Sequence, residues 1–508
     1  MEVVERGIGT ALLALVLLAG CADERDMLPT APPREVTAPA DDDPLAQMPA
    51  DSTTGQPGGD TQTADPPTDG PAQPPADDPA SGDPSAEEDP SQDTDDPDPA
   101  ADDDVGGNPG DEPTAMDDDA PLNMAPVTFG RNVKVSRGGG VEVAMAVGPG
   151  ELIFVGWVSG RSCAYSVSTD GGQTWGGNFL VSTQSINRGA FAGDTAVAVD
   201  DAGNLYAGCQ DYASGGLGEN YVLLGHSKDQ GQTWSDFERV NQSLDKPWLG
   251  ATGDGTVMLS WLGNPGGLKR STDYGASWED TISLGYINHG TTISFAPETD
   301  LVHVAYNTRE DTVTYRRSRD LGMTFEPARD LSDQGYPCRS PCAPRSHPIV
   351  GADTDPTGQV VAITWASRLQ HPDAEGDDDV WVIVSYDSGD TFSEPIRVND
   401  NLNPSRQFQP WAAVDRFGAV HVVWTDLRDG GQNATYYARM TDPDAGFEPN
   451  VEVTDDTGDP PSFLGDYKGI DILGRDVVVT WADSRPSAPG IYFARAVDAA
   501  AAGGPLAP

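Results

Sequence analysis

The sequence predicts an all-β fold: a β-propeller of seven four-stranded blades preceded by a disordered tether, with six blades as the alternative count. Three observations predict it. An octapeptide, SxDxGx[TS][WF], recurs five times; a two-strand unit recurs seven times; and the region 126–498, rich in Val, Thr, Trp, Tyr and Gly, almost lacks helical periodicity. The octapeptides recur roughly every 44 to 67 residues, a blade-sized period whose spread is accounted for by loop insertions.

The five octapeptides fix the residues Ser168, Asp170, Gly172 and Trp175; Ser227, Asp229, Gly231 and Trp234; Ser271, Asp273, Gly275 and Trp278; Ser318, Asp320, Gly322 and Phe325; and Ser385, Asp387, Gly389 and Phe392. Such fixed positions ask for one hairpin shape. Gly takes the φ > 0 position, Ser and Asp bond local backbone amides, and the aromatic plugs inward. The pattern resembles the Asp box, or bacterial neuraminidase repeat, of sialidase-like β-propellers. That resemblance implies a structural staple and no catalytic role for the boxes.

The two-strand units open seven blades at Val141 to Trp157, Thr195 to Gln210, Pro247 to Gly263, Thr291 to Asn307, Pro348 to Ser367, Pro410 to Asp426 and Tyr467 to Ser484. Each breaks at a turn and resumes in a strand often ending in Trp or Tyr. A third strand follows, and the octapeptide turns it into a fourth. Blade six carries a degenerate box, Thr441 to Phe447, and blade seven ends after its third strand, Ile491 to Ala496. At the other end of the domain, Thr128 to Ser136 resembles Thr391 to Asn399, the box ending and outer strand of blade five. An N-terminal strand is therefore expected to complete the last blade, removing a sheet edge and tying the termini together. Sialidases proper have six blades.

Before the domain stands an address. An apolar run of about a dozen residues from Ile8 to Leu18, too short to span a membrane, ends in Leu18, Ala19, Gly20 and Cys21. This resembles a bacterial lipobox, which implies that residues 1–21 are an export signal, that Cys21 is acylated, and that the protein is anchored to a bacterial membrane, at the outer membrane or cell surface. Glu2 and Glu5 outweigh Arg6, a departure from the usual positive start. Residues 22–125 contain no Phe, Trp, Tyr, His or Lys, and carry 29 Asp and Glu against Arg25 and Arg34. Such a segment cannot build a core and is expected to be a solvated tether; residues 499–508 are expected to be a disordered tail. Its Asp runs, 102–104 and 117–119, are weak candidates for calcium, without the spacing of a rigid ligand loop.

Beyond Cys21 there are four cysteines, Cys163, Cys209, Cys338 and Cys342. Export permits two disulfides, and three pairings are open; the expected ones are Cys338 with Cys342 and Cys163 with Cys209. A formal net charge of −51 repels phosphate and excludes nucleic acid as a partner. The expected partners are the lipid membrane and an extracellular glycan or protein, and the chain is expected to be a monomer.

Function is expected on the face opposite the boxes. There an arginine recurs after the second strand: Arg161, Arg309, Arg368, Arg428 and Arg485, with Asp426 and Asp483 beside the last two. Guanidinium forks match a carboxylate, so these are candidate ligand-binding residues; the duller reading has Trp in the core, Asp capping a turn and Arg pairing with the neighbouring blade. The same face gathers Asp194, Asp245, His289, His347 and Asp466 from the starts of the first strands. Asp426, Asp483 and Asp466 are the weak candidates for acid–base catalysis of glycoside hydrolysis. Glu375 and Asp377 to Asp379 form a further acidic cluster, with calcium one reading. Resemblance to true sialidases implies an arginine triad, a Tyr–Glu nucleophile and an [FY]RIP motif. Phe129-Gly-Arg131-Asn132 is the nearest approach to that motif and fits an outer strand better. Two readings follow: a surface propeller that binds an extracellular glycan or protein, or an exported exo-α-sialidase-type hydrolase.

Overall fold

In every blade a short apolar strand starts at the channel, and each further strand is added outwards by a tight turn. The computed structural model describes residues 127–182, 191–212, 220–242, 245–253, 255–308, 312–333, 349–367, 378–461 and 463–496. They form seven four-stranded antiparallel sheets. The seven inner strands are Val141–Val147, Phe191–Val199, Asp245–Thr252, Thr291–Phe295, Gly351–Thr354, Gln407–Val414 and Gly469–Leu473. They wall a central channel.

The closure is the one the sequence predicts. Strand Val133–Lys134 pairs antiparallel with Gly490–Ala496, matching Val133 with Phe493 and Lys134 with Tyr492, and becomes the outer strand of blade seven. Asn132 ties this strand to the connection before blade seven: its amide donates to Asp455 at 3.0 Å and its side-chain oxygen accepts from the Asp455 amide at 2.8 Å.

The core lies between blades. Trp157, Trp365, Trp424 and Trp481, each at or near the end of a second strand, are at most 1% exposed. Val380, Val382 and Val384 of blade five, for example, share one cluster with Ala412, Val422 and Trp424 of blade six. Pleated strands bury both faces in this arrangement, which explains why they read as near-continuous apolar runs.

The octapeptides build five near-identical turns. In each, the Gly amide donates to the Ser hydroxyl at 2.8 to 2.9 Å. The amide of the Thr or Ser four residues after the Asp donates to the Asp carboxylate at 2.8 Å. The turns share a face with the first-to-second strand turns, since Val147 pairs with Ile153 and Ile153 in turn with Ser168. The Gly is required twice over. At Gly389 φ is 83°, and a Cβ there would stand 2.0 Å from the Tyr315 hydroxyl of the preceding blade. The aromatics, expected to plug inward, pack sideways onto that preceding blade: Trp175 on Phe493 at 5.3 Å and Phe392 on Tyr315 at 5.1 Å between ring centres. Arginines of the preceding blade finish the staple. Arg270 donates to the Leu321 carbonyl at 2.7 Å, Arg495 to that of Gly171 at 3.3 Å, and Arg317 to that of Ser388. The degenerate box of blade six keeps a local turn at Asp442 and a packed Phe447.

Cys163 and Cys209 are joined, linking the third strand of blade one to the second strand of blade two. Cys21, Cys338 and Cys342, the signal, the tether and the tail lie outside the described residues.

Two outcomes follow for the boxes. Gly389→Ala forces a left-handed backbone and a clash, so it should lower unfolding free energy by about 2 kcal/mol in urea titration; an unchanged midpoint would show that the box is no staple. The hydrogen bonds from Thr391, side chain then amide, lower the Asp387 carboxyl to about 2. A depressed carboxyl contributes stability above its unfolded value of about 3.9, and that contribution is lost as pH falls towards 2. Asp387→Asn should therefore flatten the acid limb of the melting-temperature profile and leave the limb above pH 5 parallel to wild type.

Candidate functional site

On the face opposite the boxes, four inner strands begin with a register shift: between Val141 and Ala144, Ala192 and Thr195, Asp245 and Trp248, and Phe408 and Trp411. Such bulges re-aim side chains. In three of them a non-glycine residue adopts a left-handed backbone: Glu142 at φ 54°, Lys246 at 48° and Gln409 at 55°. The remaining non-glycine residues with φ > 0 among the described residues, Gln230, Tyr274, Leu321 and Ser388, each immediately precede a box glycine. Strained backbone is thus confined to the staples and to the channel mouth.

The strained residues meet in one buried polar cluster. The Lys246 ammonium bonds the Asp466 carboxylate across the channel, lies 4.0 Å from Asp194, and stands 5.4 Å from the Tyr467 ring centre. The Asp466 amide donates to Glu142 Oε2 at 2.7 Å, and the Gln409 side chain donates to the Gly465 carbonyl. Tyr212 donates its hydroxyl to Asp245. Below the cluster, Trp248, Trp411 and Tyr467 plug the channel with ring centres 4.9 to 6.0 Å apart. The Tyr467 hydroxyl is buried without a hydrogen-bond partner among the described residues.

Electrostatics divides the carboxyls into two kinds. Burial raises Asp194, and Lys246 offsets only part of that rise. Burial would raise Asp245 too, but Lys246, together with hydrogen bonds from Asp194 and Tyr212, outweighs it and holds this carboxyl below its usual range. Burial opposes the charge of Lys246, but Asp466 and its acidic neighbours win and raise the ammonium well above its ordinary value.

Of the sequence candidates, Asp194, Asp245 and Asp466 belong to this cluster, while Asp426 and Asp483 do not. Asp426 accepts from the Trp424 indole at 2.8 Å and from the Arg428 amide at 2.8 Å; Asp483 does the same for Trp481 at 2.8 Å and Arg485 at 2.7 Å. The Arg428 guanidinium pairs with Asp400 at 2.6 Å and lies 4.3 Å from the Tyr436 ring centre. The Arg485 guanidinium pairs with Asp455 at 2.7 Å and lies 4.0 Å from the Tyr492 ring centre. Each guanidinium is engaged in a Trp–Asp–Arg clasp that pins its blade to the preceding interblade connection. Arg161 is exposed, and its carbonyl accepts the Ala192 amide at 3.3 Å. The His289 amide donates to Asn307 at 3.1 Å. Arg309, Arg368, His347, Glu375 and Asp377 lie outside the described residues.

Asp378 and Asp379 are buried and bound to Arg406 at 3.0 Å and Arg397 at 2.6 Å, which gives both carboxylates a structural task. Among the described residues, no group of three His, Cys, Asp or Glu side chains could hold a metal ion. Glu142, Lys246, Gln409 and Tyr467 escaped sequence reasoning. The usable signal was the recurrence of Lys246-Pro-Trp and Gln409-Pro-Trp at two inner-strand starts.

No protein-family profile and no curated protein matches the sequence. Among solved structures, a Hadza microbial sialidase is similar at 16% identity and TM-score 0.39, over 56% of this chain and 63% of that one, so this chain spans less than two thirds of it. The NanB sialidase from Streptococcus pneumoniae is 12% identical, TM-score 0.40, over 74% of this chain and 70% of its own. A Penicillium chrysogenum alpha-L-arabinanase is 16% identical, TM-score 0.37, over 59% of this chain and 92% of its own.

Removing the cation from the mouth leaves buried carboxylates uncompensated. Lys246→Met should cost about 3 to 5 kcal/mol of stability by urea unfolding, and adding Asp466→Asn should recover part of it. A loss under about 1 kcal/mol would show that the ammonium does not hold the mouth together.

Proposed function

We propose that this is a surface-tethered lipoprotein whose propeller binds an extracellular glycan at the channel mouth, on the face opposite the Asp boxes. The observation that carries the reading is the strained cluster. Three inner strands keep non-glycine residues in a left-handed backbone, and the outcome is a preset array of acceptors around half-buried Asp245 and Trp248. Carboxylates that accept from hydroxyls, beside an indole face, suit the rim of a neutral sugar. Excess negative charge at the mouth disfavours an acidic sugar, because Lys246 is already held by Asp466. Sialidase-type hydrolysis draws on cations around the substrate carboxylate, and Arg428 and Arg485 are committed to their clasps. Tethering rests on the Leu18-Ala19-Gly20-Cys21 lipobox and on the long acidic segment that follows.

Two measurements test this. Labelled palmitate should enter the wild-type chain expressed in a bacterium and not Cys21→Ser, which should leave the membrane fraction; labelling of the variant would remove the anchor. Glycan-array binding by the purified chain should fall at least tenfold in Trp248→Ala and Asp245→Asn, with melting temperatures checked in parallel. Loss in neither variant, or capture of a protein with no glycan signal, would move the site or change the ligand class. Turnover of a fluorogenic sialoside or of another glycoside in a panel would replace binding by hydrolysis.

A further inference from the structure

Beneath the aromatic plug the channel does not fill. A cavity of about 420 Å³ runs towards the Asp-box face, walled by residues of all seven inner strands. Trp248 and Trp411 close its upper end and Phe295 adds a third ring. Asp353 of blade five and Asp471 of blade seven present the carboxyls that line its wall.

Each carboxyl accepts a backbone amide of the next blade, that of Val414 at Asp353 Oδ2 (2.9 Å) and that of Val147 at Asp471 Oδ2 (3.1 Å); Asp471 Oδ1 also accepts the Ile472 amide at 2.7 Å. A neutral Asn, Ser or Thr could accept the interblade amide, as Ser294 serves the ring from the other direction by donating to the Ala352 carbonyl at 2.9 Å. Neither Asp has an ion pair among the described residues. Burial, reinforced by Asp471, raises Asp353 to about 8, and burial raises Asp471 to about 6. Other charged groups around the cavity are Asp201, Asp355, Asp415 and Arg416; Asp415 is engaged by His421 at 3.2 Å. Two acids that make no ion pair among the described residues, in a chamber with tryptophan walls and three carboxyl neighbours against the single Arg416, are arranged for a positive guest.

We propose that this lower channel is a second binding site, distinct from the mouth and open to the Asp-box face, for a small organic amine. The chamber lies within the size range of small-molecule sites and suits a primary amine or short diamine. The ammonium lies against Asp353 and Asp471 and its carbon chain against Trp248 and Trp411. Binding needs Asp353 ionised, so at neutral pH it releases a proton from that carboxyl.

Titration of 1,4-diaminobutane into the full chain, followed by calorimetry and tryptophan fluorescence, tests the site. Saturable binding with a fluorescence change is expected. It should weaken at least tenfold in both Asp353→Asn and Asp471→Asn, variants whose amide oxygen can keep the interblade hydrogen bond, at position 471 with loss of the one from Ile472; unchanged melting temperatures check that the fold survives. Affinity should rise as pH goes from 6 to 8, and the heat should vary with the ionisation enthalpy of the buffer as a proton is released. Amine attracted only by the acidic tether would bind both variants as well as wild type, and that result overturns the proposal. So does equal binding of a neutral polyol such as glucose, or no saturable binding at millimolar amine. Because these variants leave the mouth intact, glycan binding should persist in them, which separates failure of this site from failure of the mouth.

Discussion

The structure depends on how seven inner strands satisfy a backbone edge that no fifth strand covers. An edge strand left bare is unstable, and in a propeller these edges face a narrow channel in which water alone would have to serve them. Side chains of neighbouring blades do the work instead. Thr195 donates to the Glu142 carbonyl at 2.9 Å and Ser294 to that of Ala352 at 2.9 Å; Asp353 and Asp471 accept amides of the following blade; Gln409 reaches the Gly465 carbonyl. These contacts lace blade to blade around the ring. Polar residues in the middle of apolar strands are therefore part of the fold before they are part of any site.

Two further sets of contacts hold the blades at their two faces. On one, each Asp box presses its glycine and aromatic into the preceding blade, and three of the five boxes also take an arginine from that blade over the turn. On the other, Trp424–Asp426–Arg428 and Trp481–Asp483–Arg485 clamp the interblade connections. The two sets are chemically alike, since each gives a carboxylate donors from its own turn and sends an arginine to adjoining chain. Charge pairing of this kind is weak on an open surface. It gains strength here because Asp426 and Asp483 are almost fully buried.

The architecture was legible because its determinants are local. A box needs Ser, Asp and Gly within a few residues, and the outer strand supplied by Val133–Lys134 announced itself by likeness to blade five. The site was less legible because its geometry is not local. Lys246 meets Asp466, 220 positions away, only when the ring closes, and no spacing rule encodes a contact across the channel. Arg428 and Arg485 differ in that their W-x-D-x-R pattern is local, and a local pattern at this spacing closes on itself. Asp426 lies two residues from both Trp424 and Arg428, close enough to bond each without any ligand.

What sets the channel mouth apart is excess. Hydroxyls suffice to lace the ring at Thr195 and Ser294, yet at the mouth the same task falls to Glu142, Asp194, Asp466 and Lys246, and two of these sit in a strained backbone. Burying ions where a hydroxyl would serve generally lowers stability, and left-handed non-glycine residues lower it further. A fold under selection for stability alone would replace them. The cluster is thus better understood as a binding surface that also laces the ring than as a lace that happens to be charged. By the same reasoning Asp353 and Asp471 are carboxyls where a neutral acceptor would serve the interblade amide, and both line the chamber inside the ring.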